Sequence, residues 1–168
     1  MDLLKSENDK NVTVEFHEAC LTGDIKKVKS LLSEKEKINV HRLDENLTLF
    51  HVVRKGNADI VKILLSLGIN VNEKGIGFTL LHVACEEGNL PIAEILLENG
   101  ADIDAIDVVL KWTSLDIAVW KENTSIVKLL LKNGCKTHVR DFEGMTALEM
   151  AMKEHYIDVV KLFAFHNK

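Results

Sequence analysis

Residues 79–99 read TLLHVACEEGNLPIAEILLEN, and the way this stretch folds decides the rest. Thr79 stands where a helix begins: its hydroxyl can accept a free amide hydrogen of the first turn and can reach His82 three residues on. Leu80, Leu81, Val83 and Ala84 make one apolar stripe, which Gly88-Asn89 interrupts. A second helix follows. Its apolar residues are Leu90, Ile92, Ala93, Ile95, Leu96 and Leu97; Pro91 lies in the first turn, where a missing amide costs little, and Gly100 stands where a helix ends left-handed.

Two short helices give a hairpin with one greasy side, so neighbours must cover it. The chain supplies them. Thr48, Thr79, Thr113 and Thr146 lie 31, 34 and 33 residues apart, and Gly68, Gly100 and Gly134 mark the ends of the second helices between them. The copies read TLFHVVRKGNADIVKILLSLGINVN, TLLHVACEEGNLPIAEILLENGADIDA, TSLDIAVWKENTSIVKLLLKNGCKTHV and TALEMAMKEHYIDVVKLF. A weaker copy, FHEACLTGDIKKVKSLL, precedes them from Phe16 to Leu32.

These residues resemble the ankyrin repeat, a unit of about 33 residues that opens on Thr-Pro-Leu-His. The resemblance runs from about residue 14 to 165. It rests on His three residues after Thr, Gly six residues after that His, the Ile/Val-Val-Lys-Leu-Leu run and the Gly-Ala-Asp-Ile-Asp tail, recurring in order. The sequence departs from the pattern in several places. Leu49, Leu80, Ser114 and Ala147 replace the proline, Asp116 and Glu149 replace the histidine in the last two repeats, and Glu122 and His155 replace the glycine. Repeat two is a residue short at Val53-Arg54, and the connectors into repeats two, three and four differ by a residue from the family's length. The resemblance implies an all-α ankyrin-repeat solenoid of about five helix-turn-helix repeats with finger-like connectors. Its repeats are expected at 14–43, 44–74, 75–107, 108–140 and 141–168 in a single domain, after a disordered segment 1–13.

Composition agrees. A chain of 168 residues can bury about 70% of its unfolded surface, and 46% hydrophobic with 5% aromatic content suits helices packed through Leu, Ile, Val and Ala. The net charge of −5 disfavours nucleic acid, whose phosphates need concentrated Lys and Arg. Three cysteines without CxxC spacing, Cys20, Cys85 and Cys135, occupy small apolar positions and read as core thiols. They point to a reducing compartment: the cytoplasm, with the nucleus or delivery into a host cell as alternatives. No signal peptide and no apolar run of about 20 residues is present, so no membrane partner is expected.

Asp2, Lys5, Glu7, Asp9 and Lys10 surround too little apolar surface to order the first 13 residues. The first repeat then acts as an end cap, with Asp24, Lys26, Lys27 and Lys29 facing outward, and SEKEKINVHRLDEN reads as a polar connector to repeat two. At the other end Val159, Val160, Leu162, Phe163 and Phe165 lack a polar cover. Either Phe163 and Phe165 fold back onto the last repeat, or they mediate self-association or hold a partner domain.

Little chemistry is legible. His17, His51 and His82 hold the repeat's cap position, where a neutral imidazole bonded to Thr or backbone is structural. No His or Cys pairs at metal-ligand spacing, and GxSxG, GxxxxGK[ST], GxGxxG and HExxH are missing. No metal, cofactor or enzymatic activity is therefore expected, and Glu86-Glu87 read as solvated tips. The resemblance suggests that Asn72, in the frame LLSLGINVN, could be hydroxylated; its plainer role is to tie the connector.

What remains is surface. The resemblance implies that the connector before each Thr and the end of each first helix line a binding face. The residue before Thr is large and apolar in every repeat, Leu47, Phe78, Trp112 and Met145, with Ile76, Val108, Val109, Leu110 and Phe142 adding bulk nearby. The first helices end in Arg54-Lys55, Glu86-Glu87, Trp120-Lys121 and Lys153-Glu154. An apolar ridge flanked by both charge signs is the composition of a protein–protein site, with Trp112 and Trp120 as anchors; the alternative is that these side chains only pack finger against finger. The expected function is non-catalytic binding of a protein partner. A regulatory inhibitor of the inhibitor-of-kappa-B kind, or a host-directed effector, is its alternative form.

Overall fold

The computed structural model describes the backbone of residues 2–39, 43, 47–75 and 77–166, and the side chains of residues 11–33, 36, 38, 39, 43, 47–75 and 77–165. Ile76 lies outside the described residues. Apart from one bridge between Lys74 and Thr79, regular structure among the described residues is helical: α1 Asp2–Thr22, α2 Ile25–Leu31, a 3₁₀ turn Leu32–Lys37, α3 Thr48–Lys55, α4 Ala58–Ser66, α5 Leu80–Glu86, α6 Leu90–Glu98, α7 Ser114–Trp120, α8 Thr124–Lys132, α9 Ala147–Lys153 and α10 Ile157–His166. They belong to two compact units, Met1–Glu73 and Lys74–Lys168.

Helices of seven to nine residues are marginal alone, so caps and burial must hold them. Asn57, Asn89 and Asn123 cap α4, α6 and α8, each side-chain oxygen accepting the amide hydrogen three residues on. Thr79, Thr113 and Thr146 cap α5, α7 and α9 in reciprocal boxes, closed by His82, Asp116 and Glu149. The two departures from histidine thus preserve one job. Any side chain with an acceptor at that reach can take the threonine's backbone N–H.

In the first unit α1 packs on α2 and α3, α2 on α4, and α3 on α4, around Phe16, Val28, Val52, Val53, Ile60, Val61 and Leu64. Three sequence expectations change here. Helix α1 already begins at Asp2, ahead of the expected order at Val14, and Val12 and Thr13 are buried, with Thr13 Oγ1 accepting the Asn39 N–H at 3.0 Å. The polar connector is also not wholly polar in its contacts, since two of its aliphatic residues, Ile38 and Leu43, are buried. Thr48, finally, is not a cap. It sits inside α3, whose N-cap is Leu47 in the left-handed region (φ 51°), while the Thr48 hydroxyl meets His17 Nδ1 at 2.8 Å. His17 joins the first repeat to the second, and His51, exposed, reaches the Leu47 carbonyl at 3.1 Å.

In the second unit α5, α7 and α9 form one layer and α6, α8 and α10 the other, with contacts within each pair and along both layers. Between them lie Leu80, Leu81, Ile92, Leu96, Leu115, Ile126, Leu130, Met150, Val159 and Phe163. Each fully buried side chain of this size is worth about 1.5–3 kcal/mol. The terminal phenylalanines part company: Phe163 is 2% exposed and Phe165 71%. Phe163 is therefore core and unavailable for the self-association considered for it, because its ring faces the hydrophobic interior.

At the turn between paired helices the repeat wants a left-handed residue. Gly56 and Gly88 supply it at φ 78° and 69°; Glu122 and His155, standing where glycine is expected, adopt φ 53° and 61° all the same. A side chain there costs about 1–2 kcal/mol, partly offset by the greater freedom of glycine in the unfolded chain. Glu122→Gly and His155→Gly should each raise stability by about 0.5–1 kcal/mol in urea unfolding.

Candidate functional site

The connectors that precede α7 and α9 are shaped by two buried aspartates. Asp107 is 1% exposed; its Oδ1 accepts the N–H of Val109 (2.7 Å) and Leu110 (2.8 Å), and its Oδ2 that of Trp112 (2.7 Å). The loop closes as Asp107 N–H donates to the Trp112 carbonyl at 2.9 Å. Asp141 does the same work one repeat later, accepting from Glu143 (2.9 Å) and Met145 (2.8 Å) and donating its own N–H to the Met145 carbonyl. Both loops turn through a left-handed residue two before the capping threonine, Lys111 in one and Gly144 in the other. The loops are then tied together: Phe142 N–H donates to the Leu110 carbonyl at 3.0 Å, and Trp112 Nε1–H to Asp141 Oδ2 at 3.4 Å.

This bracing holds Trp112, half-buried, against Trp120 with ring centroids 5.5 Å apart and planes tilted by 51°. Trp120 remains 48% exposed, and the Lys121 ammonium lies 4.5 Å from its ring centroid. Beside the pair opens a groove of about 260 Å³. Leu110, Trp112, Trp120, Phe142, Met145, Met150 and Tyr156 supply its apolar wall, with Asp141, Glu143, Lys153 and Glu154 around them. The indoles are thus not sealed between the helix layers.

Of the residues singled out in the sequence, Leu110, Trp112, Trp120, Phe142, Met145 and Lys153 converge on this groove. Lys121 flanks it through Trp120. Val109 is on the outer side of the same loop, and with Val108 and Phe142 it is about two-thirds exposed. Phe78, at the rim of exposure, stands edge-on to the His82 ring at 6.1 Å. Glu86 and Glu87 are exposed at the end of α5. Leu47, Arg54 and Lys55 belong to the first unit, where Arg54 and Lys55 are exposed and Leu47 half-buried. Asp107, Asp141 and Tyr156 were not singled out. The first two could have been, since each lies five or six residues before a capping Thr.

Burial shifts the buried thiols and two of the histidines toward their uncharged forms. Burial pushes the thiols of Cys20, Cys85 and Cys135 up to about 12, too high for a thiolate nucleophile near neutrality. Desolvation lowers the pKa of His82, the nearby Asp107 charge and the backbone of Ala105 and Trp112 opposing it. Its Nδ1 is used in the cap at 3.0 Å, and its Nε2 has no partner at full hydrogen-bond geometry despite those backbone groups nearby. Desolvation also lowers His17 and raises Asp116. Among the described residues no cluster of three or more His, Cys, Asp or Glu could hold a metal ion, and no helix is long and apolar enough to cross a membrane.

Comparison with known proteins follows the same lines. A family model described as ankyrin repeats (3 copies) matches residues 16–107 and 104–168. The chain is 37% identical over 106 residues to ankyrin repeat and SAM domain-containing protein 6 of Mus musculus, covering 62% of this chain and 12% of that protein. It is 32% identical over 145 residues to the nuclear factor NF-kappa-B p105 subunit of Gallus gallus, covering 83% and 15%. A putative ankyrin repeat protein of fowlpox virus is 30% identical over 138 residues, covering 79% and 31%. The chain spans less than a third of the length of each of these relatives.

Removing the Asp107 carboxylate strands three backbone amides, so Asp107→Ala should cost about 2–4 kcal/mol in urea unfolding, and Asp107→Asn, which keeps one acceptor oxygen, about half as much. The histidines set a pH dependence. The unfolded chain takes up protons near 6.5 while burial holds folded His82 and His17 below that value. Their contribution is therefore intact above about pH 6.5 and lost as pH falls through the folded values. The urea midpoint should drop between about pH 7.5 and 5.5, and His82→Asn should flatten that slope.

Proposed function

The chain belongs to the ankyrin-repeat family, whose members are generally non-catalytic protein-interaction modules, and from that premise we propose that it binds a partner protein on the groove beside Trp112 and Trp120. The observation that carries the reading is the tryptophan pair itself. One indole is fixed by Asp141 and its neighbour is left half exposed beside an open groove. Large rigid aromatics held in place before binding lose little entropy on docking, and such anchors dominate interface energetics. The charged residues at the rim, Lys121, Glu143, Lys153 and Glu154, would orient the partner rather than supply most of the affinity. The exposed Val108, Val109 and Phe142 extend the apolar surface along the finger tips.

The likeness to the chicken NF-kappa-B p105 subunit over 83% of the chain supports a regulatory form of this reading, in which the module covers a signalling protein. Three buried, unpaired thiols support a reducing compartment such as the cytoplasm.

Affinity capture with cross-linking from the native host, wild type against Trp120→Ala, tests the proposal. Because Trp120 is half exposed, its truncation should cost about 1–2 kcal/mol of stability at most, while a partner anchored there should be lost by tenfold or more in affinity. An unchanged set of captured proteins, with the fold retained, would show that the pair serves only to brace the fingers.

A further inference from the structure

The charges around the groove are unequal. Three carboxylates, Asp141, Glu143 and Glu154, line it against one ammonium, Lys153. Two of the three are engaged within the protein. Asp141 accepts from its own loop and from Trp112, and Glu143 lies 3.5 Å from Lys153. Glu154, the C-cap of α9, is exposed and enters no ion pair with the described residues. An uncompensated carboxylate therefore stands at the wall of a groove whose other walls are Trp112, Trp120 and Tyr156. Aromatic faces attract cations through their quadrupole, and the protein already shows this at the same ring: the Lys121 ammonium sits over Trp120. Trp120 is among the residues that line the groove and Lys121 is not.

From this pairing of aromatic walls with an unpartnered carboxylate, we infer that the groove takes an arginine side chain of the partner protein, its guanidinium stacked on the tryptophan pair and hydrogen-bonded to Glu154. Guanidinium fits better than ammonium. It is planar, weakly hydrated, stacks on aromatic rings and can donate two parallel N–H bonds to one carboxylate. A leucine or phenylalanine would match the walls and leave Glu154 facing apolar atoms. The inference rests on the groove being a protein-binding surface and adds the chemistry of the residue that enters it.

The test is an NMR titration of the whole chain with a blocked Gly-Gly-Arg-Gly-Gly peptide and its citrulline, lysine and leucine counterparts, following the indole N–H signals of Trp112 and Trp120. The arginine peptide should give saturable shifts. Citrulline, isosteric and neutral, should bind about fivefold more weakly or worse, lysine should fall between them, and Glu154→Gln should weaken the arginine peptide about threefold to fivefold. Citrulline or leucine binding as tightly as arginine, or a Glu154→Gln variant with unchanged affinity, would overturn the inference. Should no peptide move either indole while Trp120→Ala still loses its captured partner, arginine is wrong and the groove stands; should both experiments fail, the groove itself is not the binding surface.

Discussion

Two buried carboxylates shape the loops that carry Trp112, Phe142 and Met145 to the groove. Asp107 holds the backbone amide of Trp112, and Asp141 holds both the amide of Met145 and the indole of Trp112. A carboxylate taken from water is costly unless its oxygens are filled, and here each accepts three N–H bonds. Hydrogen bonds to charged groups are worth about 1.5–3 kcal/mol each, so a loop conformation that opens these bonds leaves a buried oxygen unfilled and is disfavoured. The groove thus stands on connectors that, among the described residues, carry no strand and no disulfide.

The helix caps show the same economy with varied chemistry. His82, Asp116 and Glu149 all accept the backbone N–H of the threonine three residues before them. Their environments drive them apart. Burial keeps His82 neutral and raises Asp116, whereas Glu149, exposed, is lowered first by the Thr146 N–H and then by the Thr146 hydroxyl, with Arg140 adding a 2.9 Å pair. One position in the repeat can hold an imidazole or a carboxylate because geometry, not charge, defines its duty. The left-handed turn behaves alike: Glu122 and His155 keep the conformation after the glycine is gone, since neighbouring helices fix the chain path.

The repeat, its caps and its helix pairs were legible in the sequence because periodic apolar residues, threonine spacing and terminal glycines act locally. Much of the groove was legible for the same reason, a large apolar residue before each threonine. What could not be read depends on contacts far apart along the chain. Thr48 looks like its fellow caps, yet its hydroxyl is taken by His17 of another repeat and the helix begins on a left-handed Leu47. Ile38 and Leu43 sit in a stretch whose charges read as solvated, although these two aliphatic side chains are buried. Phe163 and Phe165 are two residues apart on one helix and look equivalent, but only the first faces the core. Asp107 and Asp141 are readable by their spacing before a capping threonine, but the bond from the Trp112 indole to Asp141, across 29 residues, is not.

The central claim is that the groove is held ready before any partner arrives, and amide hydrogen exchange tests it most directly. Val109, Leu110, Trp112 and Met145 lie in loops, two of them beside largely exposed side chains, yet each donates its N–H to a buried aspartate. Their amides should exchange as slowly as those in the middle of α7, opening only when the repeat itself unfolds. Exchange at the rate of an unstructured loop would mean that the aspartates do not brace the fingers and that no preformed groove exists.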